Sequence, residues 1–284
     1  MSIVFERPRL LKDADFHYCP GCGHGIINRL LMEVIEEMGL QEDVICVAPA
    51  GCGMLLYNYF EIDVIESAHG RGAAVATGIK RVRPQNTVFS YQGDGDLAAI
   101  GTAEGLHAAN RGENITVIFV NNGVYGMTGG QMAPTSLAGQ VTTTTPTGRD
   151  LDLAGHPVRI CEVFAELDGT AYLERVAVNK PAAVMKAKRA IRTAFQCQLD
   201  GRGFSLVEIL SPCPINWRMG TVEACRWIDD AMLAYFPLGV FKDAGAPAPG
   251  AAPTDAGDAG VTGAAGAAGA LGATGAGARE QEDA

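Results

Sequence analysis

The sequence predicts an α/β protein in which a doubly wound, mostly parallel sheet carries helices on both faces. Short runs of apolar and β-branched residues alternate along the chain with longer segments of helical periodicity, an order typical of βαβ units. Turns rich in glycine, aspartate and asparagine follow several of the apolar runs directly. Hydrophobic residues make up 48% of the sequence, which suits a parallel sheet buried on both sides.

The predicted elements follow one another in a regular order. An amphipathic helix (26–38) precedes a strand (44–48), and a helix of small residues ends near Lys80. One βαβ unit then comprises a strand (87–92), a helix (97–110) and a second strand (115–120). The rest of the body alternates helix and strand in the same way, with helices at 158–167, 180–198 and 222–235 and strands at 171–178 and 204–210.

Composition divides the chain into a body, residues 1–242, and a tail, residues 243–284. The tail is rich in alanine and glycine, with glycine at every third position from Gly257 to Gly275. Proline is absent from that run, so we expect a disordered segment rather than a collagen-like helix. The tail carries six acidic residues against one arginine, which accounts for about half of the net charge of −10.

This charge argues against a nucleic-acid partner. No apolar run is long enough to span a bilayer, and the first residues do not resemble a signal peptide. We therefore expect a cytoplasmic protein without a membrane partner. In that compartment eight cysteines favour ligation of a metal or cofactor over disulfides.

Acidic and amide side chains directly follow the two strands of the central βαβ unit. The first turn is Gly93, Asp94, Gly95 and Asp96, and the second contains Asn122. A right-handed crossover brings such turns together at the edge of the sheet where ligands bind. Asp94, Asn122 and the carbonyl of Val124 offer three of the oxygen ligands that Mg²⁺ prefers, so the stretch is consistent with a magnesium–diphosphate site. The alternative is a plain βαβ turn.

Four cysteines lie on turns beside core elements. Cys19 and Cys22 form a C-x-x-C, Cys52 lies on a glycine-flanked turn, and Cys213 lies between two prolines after a strand. Four thiolates suit either zinc or an iron–sulfur cluster, and spacing does not separate the two. We expect the other four cysteines to be buried apolar residues: Cys46, Cys161, Cys197 and Cys225.

Two further segments are candidates for function. His69 precedes the helix of small residues, where it could donate a hydrogen bond to a phosphate or be purely structural. Residues 127–149 are polar and rich in glycine, proline and threonine, and as a loop they exceed the usual length. We expect this loop to shape the entrance for a substrate or coenzyme.

Six motifs together carry a resemblance to a known family. The spacing from GDG to NN resembles the thiamine diphosphate signature. The whole body, from about residue 9 to 242, resembles the β subunit of 2-oxoacid:ferredoxin oxidoreductases, and is most similar to the 2-oxoisovalerate and 2-oxoglutarate types. The motifs are CPGCGHG, APAGC, AHGR with VATGIKR, YQGDGDLAAIGTAE, NNGVYGMTGGQMAPT and SPCPINW.

The resemblance implies three cofactors, namely thiamine diphosphate, Mg²⁺ and one [4Fe–4S] cluster. It implies Asp94, Asn122 and Val124 as Mg²⁺ ligands. It implies that His69, Asp96, Gly126 and Thr128 contact the diphosphate or the thiazolium region, along with the glycines of the first turn. The implied cluster ligands are Cys19, Cys22, Cys52 and Cys213.

The resemblance also implies an activity and partners. The reaction is oxidative decarboxylation of a branched-chain 2-oxoacid or 2-oxoglutarate with coenzyme A to an acyl-CoA and CO₂, with electrons passing from thiamine diphosphate through the cluster to ferredoxin. The glutamate that activates the cofactor is expected in an α subunit, so no catalytic residue is assigned here. Some members have γ or δ subunits as well.

Two alternatives remain open from the residues. One is a non-redox thiamine diphosphate-dependent decarboxylase or synthase subunit, in which the four cysteines bind structural zinc or nothing. The other is a non-catalytic partner that keeps the fold for assembly. Retention of both Asp94 and Asn122 argues against the second, because a retired site need not keep both ligands.

Overall fold

The computed structural model describes residues 6–245, whose main sheet has seven strands. The strands run in the order β2-β1-β3-β4-β8-β7-β9, and every pair is parallel except β7 with β9. Their bounds are β1 Val44–Ala48, β2 Asp63–Glu66, β3 Thr87–Gly93, β4 Thr116–Asn121, β7 Thr170–Ala177, β8 Phe204–Leu210 and β9 Gly239–Asp243. Two short strands, β5 Val124–Tyr125 and β6 Gln131–Met132, form a separate antiparallel hairpin.

The helices alternate with the strands. The longer ones are α1 His24–Glu37, α2 Gly72–Val82, α3 Thr102–Asn110 and α6 Pro181–Leu199. The shorter ones are α4 Leu151–Ala154, α5 Ile160–Ala165, α7 Pro214–Trp217, α8 Thr221–Trp227 and α9 Leu233–Tyr235. A 3₁₀ segment, Met54–Asn58, follows β1, and two π-helical segments, Asp96–Ile100 and Ile228–Met232, precede α3 and α9.

Helices cover both faces of the sheet. On one face α1 and α6 pack against alternate residues of the central strands, including Phe89 and Ile118. On the other face α2, α3 and α5 pack against the intervening residues, including Val88 and Val117. Successive side chains along a strand point to opposite faces, so the residues of these central strands are buried at almost every position. The predicted doubly wound α/β fold is confirmed.

The direction of winding reverses between β1 and β3. After β1 the chain adds β2 on one side, whereas after β3 it adds β4 on the other side. The carboxyl ends of β1 and β3 therefore diverge into a crevice, the position where doubly wound sheets bind ligands. Both candidate turns of the central βαβ unit lie at this edge.

The structure differs from the predicted elements at several places. Strand β2 was not predicted, nor was the β5–β6 hairpin, of which only β6 lies in the 127–149 loop. The helix predicted at 97–110 consists of a π-helical segment and α3, separated at Gly101, and the helix predicted at 222–235 consists of three segments. Strand β9 continues one residue past the predicted body, to Asp243, and the predicted tail from residue 246 lies outside the described residues.

The sheet core contains a charged pair on adjacent strands. The side chains of Arg175 on β7 and Glu208 on β8 are completely buried, with the Nε–Oε2 distance at 2.8 Å. Arg175 Nη1 also donates to Glu162 on α5 at 3.0 Å. The second oxygen of Glu208 accepts a hydrogen bond from Asn121 Nδ2 at 2.8 Å. The pair therefore supports the end of β4, directly before Asn122.

Two of the basic side chains on α6 pair with α1. Lys188 Nζ lies 3.0 Å from Glu33 and 2.6 Å from Glu37, and Arg192 also pairs with Glu37. Within residues 6–245 no helix is long and apolar enough to cross a membrane.

Candidate functional site

A cavity of about 290 Å³ lies at the carboxyl ends of β1, β3 and β4. Its walls come from the turn after β1, the GDGD turn after β3 and the segment after β4. All nine residues predicted to bind the cofactor or its metal line it: His69, Gly93, Asp94, Gly95, Asp96, Asn122, Val124, Gly126 and Thr128. The topology thus brings together residues up to 59 positions apart in the sequence.

Asp94 and Asn122 converge on one backbone amide. Asp94 Oδ2 and Asn122 Oδ1 each accept a hydrogen bond from the Val124 N–H at 3.2 Å. The three residues predicted to hold Mg²⁺ are therefore adjacent in space, with the two side-chain oxygens facing the Val124 N–H. Because two side-chain oxygens share one donor, both retain lone pairs for a further partner.

The Asp94 carboxylate is only 4% exposed. Its oxygens accept hydrogen bonds from Gly95 N at 2.9 Å and from Thr135 Oγ1 at 3.3 Å. Burial raises the pKa of Asp94 to about 7, and the hydrogen bonds oppose this shift. No lysine or arginine among residues 6–245 forms an ion pair with this carboxylate. A buried carboxylate without a cationic partner is a group whose charge a bound cation would stabilise.

His69 is oriented by Asp96. The His69 Nδ1–Asp96 Oδ1 distance is 2.7 Å, and the same oxygen accepts from Gly70 N at 2.9 Å. The other oxygen accepts from Gln92 Nε2 at 2.6 Å. Asp96 is only 1% exposed, so its carboxylate is occupied by these three donors, while His69 is half-exposed and lines the cavity. Since Nδ1 is engaged, Nε2 is the nitrogen left for a ligand.

Thr128 and Gly126 line the cavity from the segment that follows β4. Thr128 is exposed, and its hydroxyl donates to Gln131 Oε1 at 2.6 Å within the β5–β6 hairpin. Gly126 packs against sulfur, because a Cβ at this position would lie 3.1 Å from Cys52 Sγ. Only glycine allows this close approach without displacing the cysteine.

A second, smaller cavity of about 70 Å³ adjoins the first, and Cys19, Cys22, Cys52 and Cys213 all line it. The C-x-x-C turn closes with Cys22 N donating to Cys19 O at 3.0 Å. Gly23 N donates to Pro212 O at 3.3 Å, which joins this turn to the segment carrying Cys213. The four thiols predicted to act together are therefore gathered at one place.

The four cysteines of this cavity differ in exposure: Cys213 is buried, Cys22 and Cys52 are partly buried, and Cys19 is exposed. Burial raises the pKa of Cys22 and of Cys52 to about 12, and neighbouring cysteines raise both further. Burial also raises the pKa of Cys213, whose sulfur accepts a hydrogen bond from Asn216 Nδ2 at 3.3 Å. In the part of the chain from 6 to 245, no three acidic, histidine or cysteine side chains are arranged to hold a single metal ion.

The two cavities share a wall. Four residues line both of them: His24, Cys52, Asn122 and Gly126. His24 Nδ1 lies 2.5 Å from Tyr91 Oη, and burial lowers the pKa of His24 to about 4. The wall therefore presents a neutral imidazole near pH 7.

Three residues that line these cavities, or that hydrogen-bond to residues lining them, were not predicted from the sequence. His24 lies two residues after the C-x-x-C and had a local signal, namely its place inside the CPGCGHG motif. Tyr91 lies inside an apolar strand, where its hydroxyl has no separate signal. Thr135, which donates to Asp94, lies 41 residues away from it within the long loop.

Comparison with known proteins identifies the family. Residues 54–209 match the family model of the thiamine pyrophosphate enzyme C-terminal TPP-binding domain. The 2-oxoglutarate synthase subunit KorB of Methanocaldococcus jannaschii is 37% identical over 198 residues, which cover 69% of each chain. A 2-oxoacid:ferredoxin oxidoreductase subunit β from Sulfolobus is 32% identical over 216 residues, covering 75% of this chain and 66% of its own. The chain belongs to the 2-oxoacid:ferredoxin oxidoreductase β subunits.

A second group of relatives within this family is more similar in sequence. Ketoisovalerate oxidoreductase subunit VorA of Methanothermobacter thermautotrophicus is 48% identical over 243 residues, which are 86% of this chain and 51% of that protein. The chain thus spans about half the length of this relative.

A solved structure confirms the fold of this β subunit. The 2-oxoglutarate:ferredoxin oxidoreductase of Magnetococcus marinus, solved with 2-oxoglutarate, coenzyme A and succinyl-CoA bound, matches with a TM-score of 0.70. The match covers 86% of this chain and 87% of that chain at 24% sequence identity. The resemblance deduced from the motifs is therefore confirmed at the level of family and fold.

Proposed function

We propose that this chain is the subunit that carries thiamine diphosphate, Mg²⁺ and a [4Fe–4S] cluster in a cytoplasmic 2-oxoacid:ferredoxin oxidoreductase. The reaction is oxidative decarboxylation of a 2-oxoacid with coenzyme A to an acyl-CoA and CO₂, with ferredoxin as electron acceptor. The observation that carries the proposal is the pair of adjoining cavities, one lined by oxygen donors and one by four thiols, with Cys52 in their common wall.

The oxygen-lined cavity suits Mg²⁺ and a diphosphate. Asp94, Asn122 and the Val124 carbonyl would supply half of an octahedral shell, leaving the remaining positions to phosphate oxygens and water. His69, held through Nδ1 by Asp96, would donate from Nε2 to a phosphate oxygen. Bound thiamine diphosphate supplies an electron sink for decarboxylation.

The sulfur-lined cavity suits a cluster better than a single ion. Around a single tetrahedral zinc ion the thiolate sulfurs lie about 2.3 Å from the metal, so they leave little space between them. The cavity that these thiols line together with eight other residues has a volume of about 70 Å³, which is several times the roughly 10–15 Å³ that one water molecule requires. The Asn216 amide, which donates to Cys213, would also donate to a ligated sulfur, and such hydrogen bonds tune cluster potentials.

The partner of this chain would be an α subunit, with γ or δ subunits in larger assemblies. No glutamate of the described residues lines the main cavity, which fits an activating glutamate contributed by the α subunit. The relative with 48% identity is named for ketoisovalerate, so we propose a branched-chain 2-oxoacid as the first substrate to test, ahead of 2-oxoglutarate.

The test is anaerobic co-purification with the partner subunits, followed by a 2-oxoacid panel with coenzyme A and a viologen acceptor. We expect acceptor reduction that depends on both 2-oxoisovalerate and coenzyme A, with about four iron atoms per chain. Cys22→Ser should lower iron content and acceptor reduction together while thiamine diphosphate still binds. Cys161→Ser, at a buried core cysteine that does not line this cavity, is the matched control.

Two results would overturn the proposal. A colourless, zinc-containing complex that decarboxylates without reducing the acceptor would establish the non-redox alternative. A complex that binds neither Mg²⁺ nor thiamine diphosphate would instead indicate a non-catalytic assembly subunit.

A further inference from the structure

The guanidinium of Arg149 is buried without a carboxylate partner. The residue is 5% exposed, and no carboxylate among residues 6–245 forms an ion pair with it. Instead its nitrogens donate to six backbone carbonyls at distances of 2.8 to 3.2 Å. The acceptors are the carbonyls of Ala133, Pro134, Ser136, Ala154, Gly155 and His156.

These carbonyls belong to two separate stretches, one inside the 127–149 loop and one after it. Three lie at 133–136, and three lie at the end of α4 and directly after it. The Arg149 backbone adds two bonds, donating to Gln140 O at 3.0 Å and accepting from Gly139 N at 2.9 Å. Arginine suits this position because its planar fork offers five N–H donors, whereas lysine offers three from one point. Arg149 thus holds the 133–140 segment to α4.

The 133–140 segment also forms hydrogen bonds to both of the turns that carry the proposed Mg²⁺ ligands. Thr135 is completely buried and donates to Asp94 Oδ2 at 3.3 Å. Ser136 Oγ donates to Gly123 O at 2.5 Å, and Gln140 Nε2 donates to the same carbonyl at 3.3 Å. One segment therefore contacts the turn after β3 and the turn after β4.

We propose that Arg149 is a positioning residue that sets the affinity of the site for Mg²⁺ and thiamine diphosphate, although it does not line the cavity. The inference rests on the proposed function of Asp94 and Asn122. Arg149 fixes the 133–140 segment, the segment fixes the two ligand-bearing turns, and these turns need no reorganisation when the metal binds. Loss of groups that orient metal ligands typically lowers metal affinity by about 10- to 100-fold.

The experiment uses the complete complex and compares Arg149→Met, Arg149→Lys and Thr135→Val. Calorimetry measures Mg²⁺ affinity at saturating thiamine diphosphate, and amide exchange measures protection of residues 133–140. We expect Arg149→Met and Thr135→Val to weaken Mg²⁺ binding by about 10- to 100-fold, and Arg149→Lys to weaken it less. Arg149→Met should also lose protection in the segment, and raised Mg²⁺ should restore most of the rate.

The matched control is Arg159→Met, which removes an arginine whose guanidinium lies 4.2 Å from the ring centroid of Tyr235 and whose side chain forms no hydrogen bond with the 133–140 segment. It should leave Mg²⁺ affinity unchanged. A lower melting temperature for Arg149→Met, with Mg²⁺ affinity within twofold of wild type, would reduce Arg149 to a structural role and overturn the inference.

If Arg149→Met does not fold, Thr135→Val and Arg149→Lys test the inference instead. Unchanged Mg²⁺ affinity in both variants would also overturn it. Binding and turnover are measured separately. A wild-type complex that binds Mg²⁺ and thiamine diphosphate but reduces no acceptor contradicts the proposed reaction, while the affinity comparison still tests Arg149.

Discussion

The two adjoining cavities differ in how the chain builds them. The oxygen donors lie at the ends of adjacent strands β3 and β4 and are held by hydrogen bonds to Val124 N, Thr135 and Gly95. The thiols come from three turns distant in sequence. The matched domain, residues 54–209, contains every proposed oxygen ligand and excludes all four cysteines. The oxygen site therefore belongs to the shared thiamine domain, and the sulfur site is added by segments flanking it.

Asp94→Asn should have the largest effect and should separate the two cavities. It removes the charge that a buried cation would pair with. We therefore expect the affinity for thiamine diphosphate in the presence of Mg²⁺ to fall by more than about 100-fold, which exceeds the loss typical when a group that only orients a metal ligand is removed. Iron content should stay unchanged. Calorimetry and iron analysis measure the two quantities. Asp63→Asn, on the exposed edge strand β2, is the control. If Asp94→Asn lost iron to the same extent as it lost thiamine diphosphate binding, the two cavities would not be built independently.

His69→Ala should have a smaller effect, again confined to the oxygen-lined cavity. It removes one hydrogen bond to a phosphate from a half-exposed side chain, so we expect about 10-fold weaker binding of thiamine diphosphate. Titration of the cofactor at fixed Mg²⁺ measures this change. His107→Ala, on the exposed face of α3, should bind as wild type does. Unchanged binding in His69→Ala would show that His69 does not contribute to the binding of thiamine diphosphate.

Gly126→Ala should have the smallest effect on cofactor affinity but should reach both cavities. The added Cβ would lie 3.1 Å from Cys52 Sγ and 3.8 Å from Cys213 Sγ, so neighbours must shift by a few tenths of an ångström. Overpacking of this degree costs about 1 kcal/mol, the lower end of its usual range. We expect a few-fold weaker binding of thiamine diphosphate together with a changed absorption spectrum of the cluster.

Gly78→Ala on α2 is the matched control for this substitution, because its Cβ would meet nothing within 4 Å. It should leave binding and spectrum as in the wild type. If Gly126→Ala changes cofactor binding while the spectrum stays constant, the common wall does not couple the two sites.

The sequence was sufficient for the parts of the fold and site that depend on local chemistry. Strands β3, β4 and β8 consist mainly of apolar and β-branched residues and are buried along almost their whole length. Asp94 and Asn122 directly follow two of these strands, so the order of the elements was enough to place them together. Strand β2 escaped prediction because it is short, mostly exposed and bounded by Asp63 and Glu66. The break at Gly101 was missed for another reason: a Cβ there would lie 2.5 Å from Gly70 O, a tertiary contact without a local pattern.

The contribution of Arg149 was beyond sequence reasoning for a related reason. All of its side-chain partners are backbone carbonyls, which every residue type offers alike, so no neighbouring residue identifies them. The hydrogen bond from Thr135 to Asp94 likewise depends on the path of the 127–149 loop. The sequence indicated that this loop was long and functional, but its path depends on tertiary contacts.

The two edges of the main sheet have a consequence for behaviour at high concentration. One edge is β2, four residues long with an acidic residue at each end. The other is β9, five residues long, antiparallel to β7 and shifted in register between Leu173 and Glu174. Short, charged or irregular edges offer a poor template for strand addition from another molecule. The described sheet can therefore have a largely apolar interior without offering its edges for strand pairing between molecules.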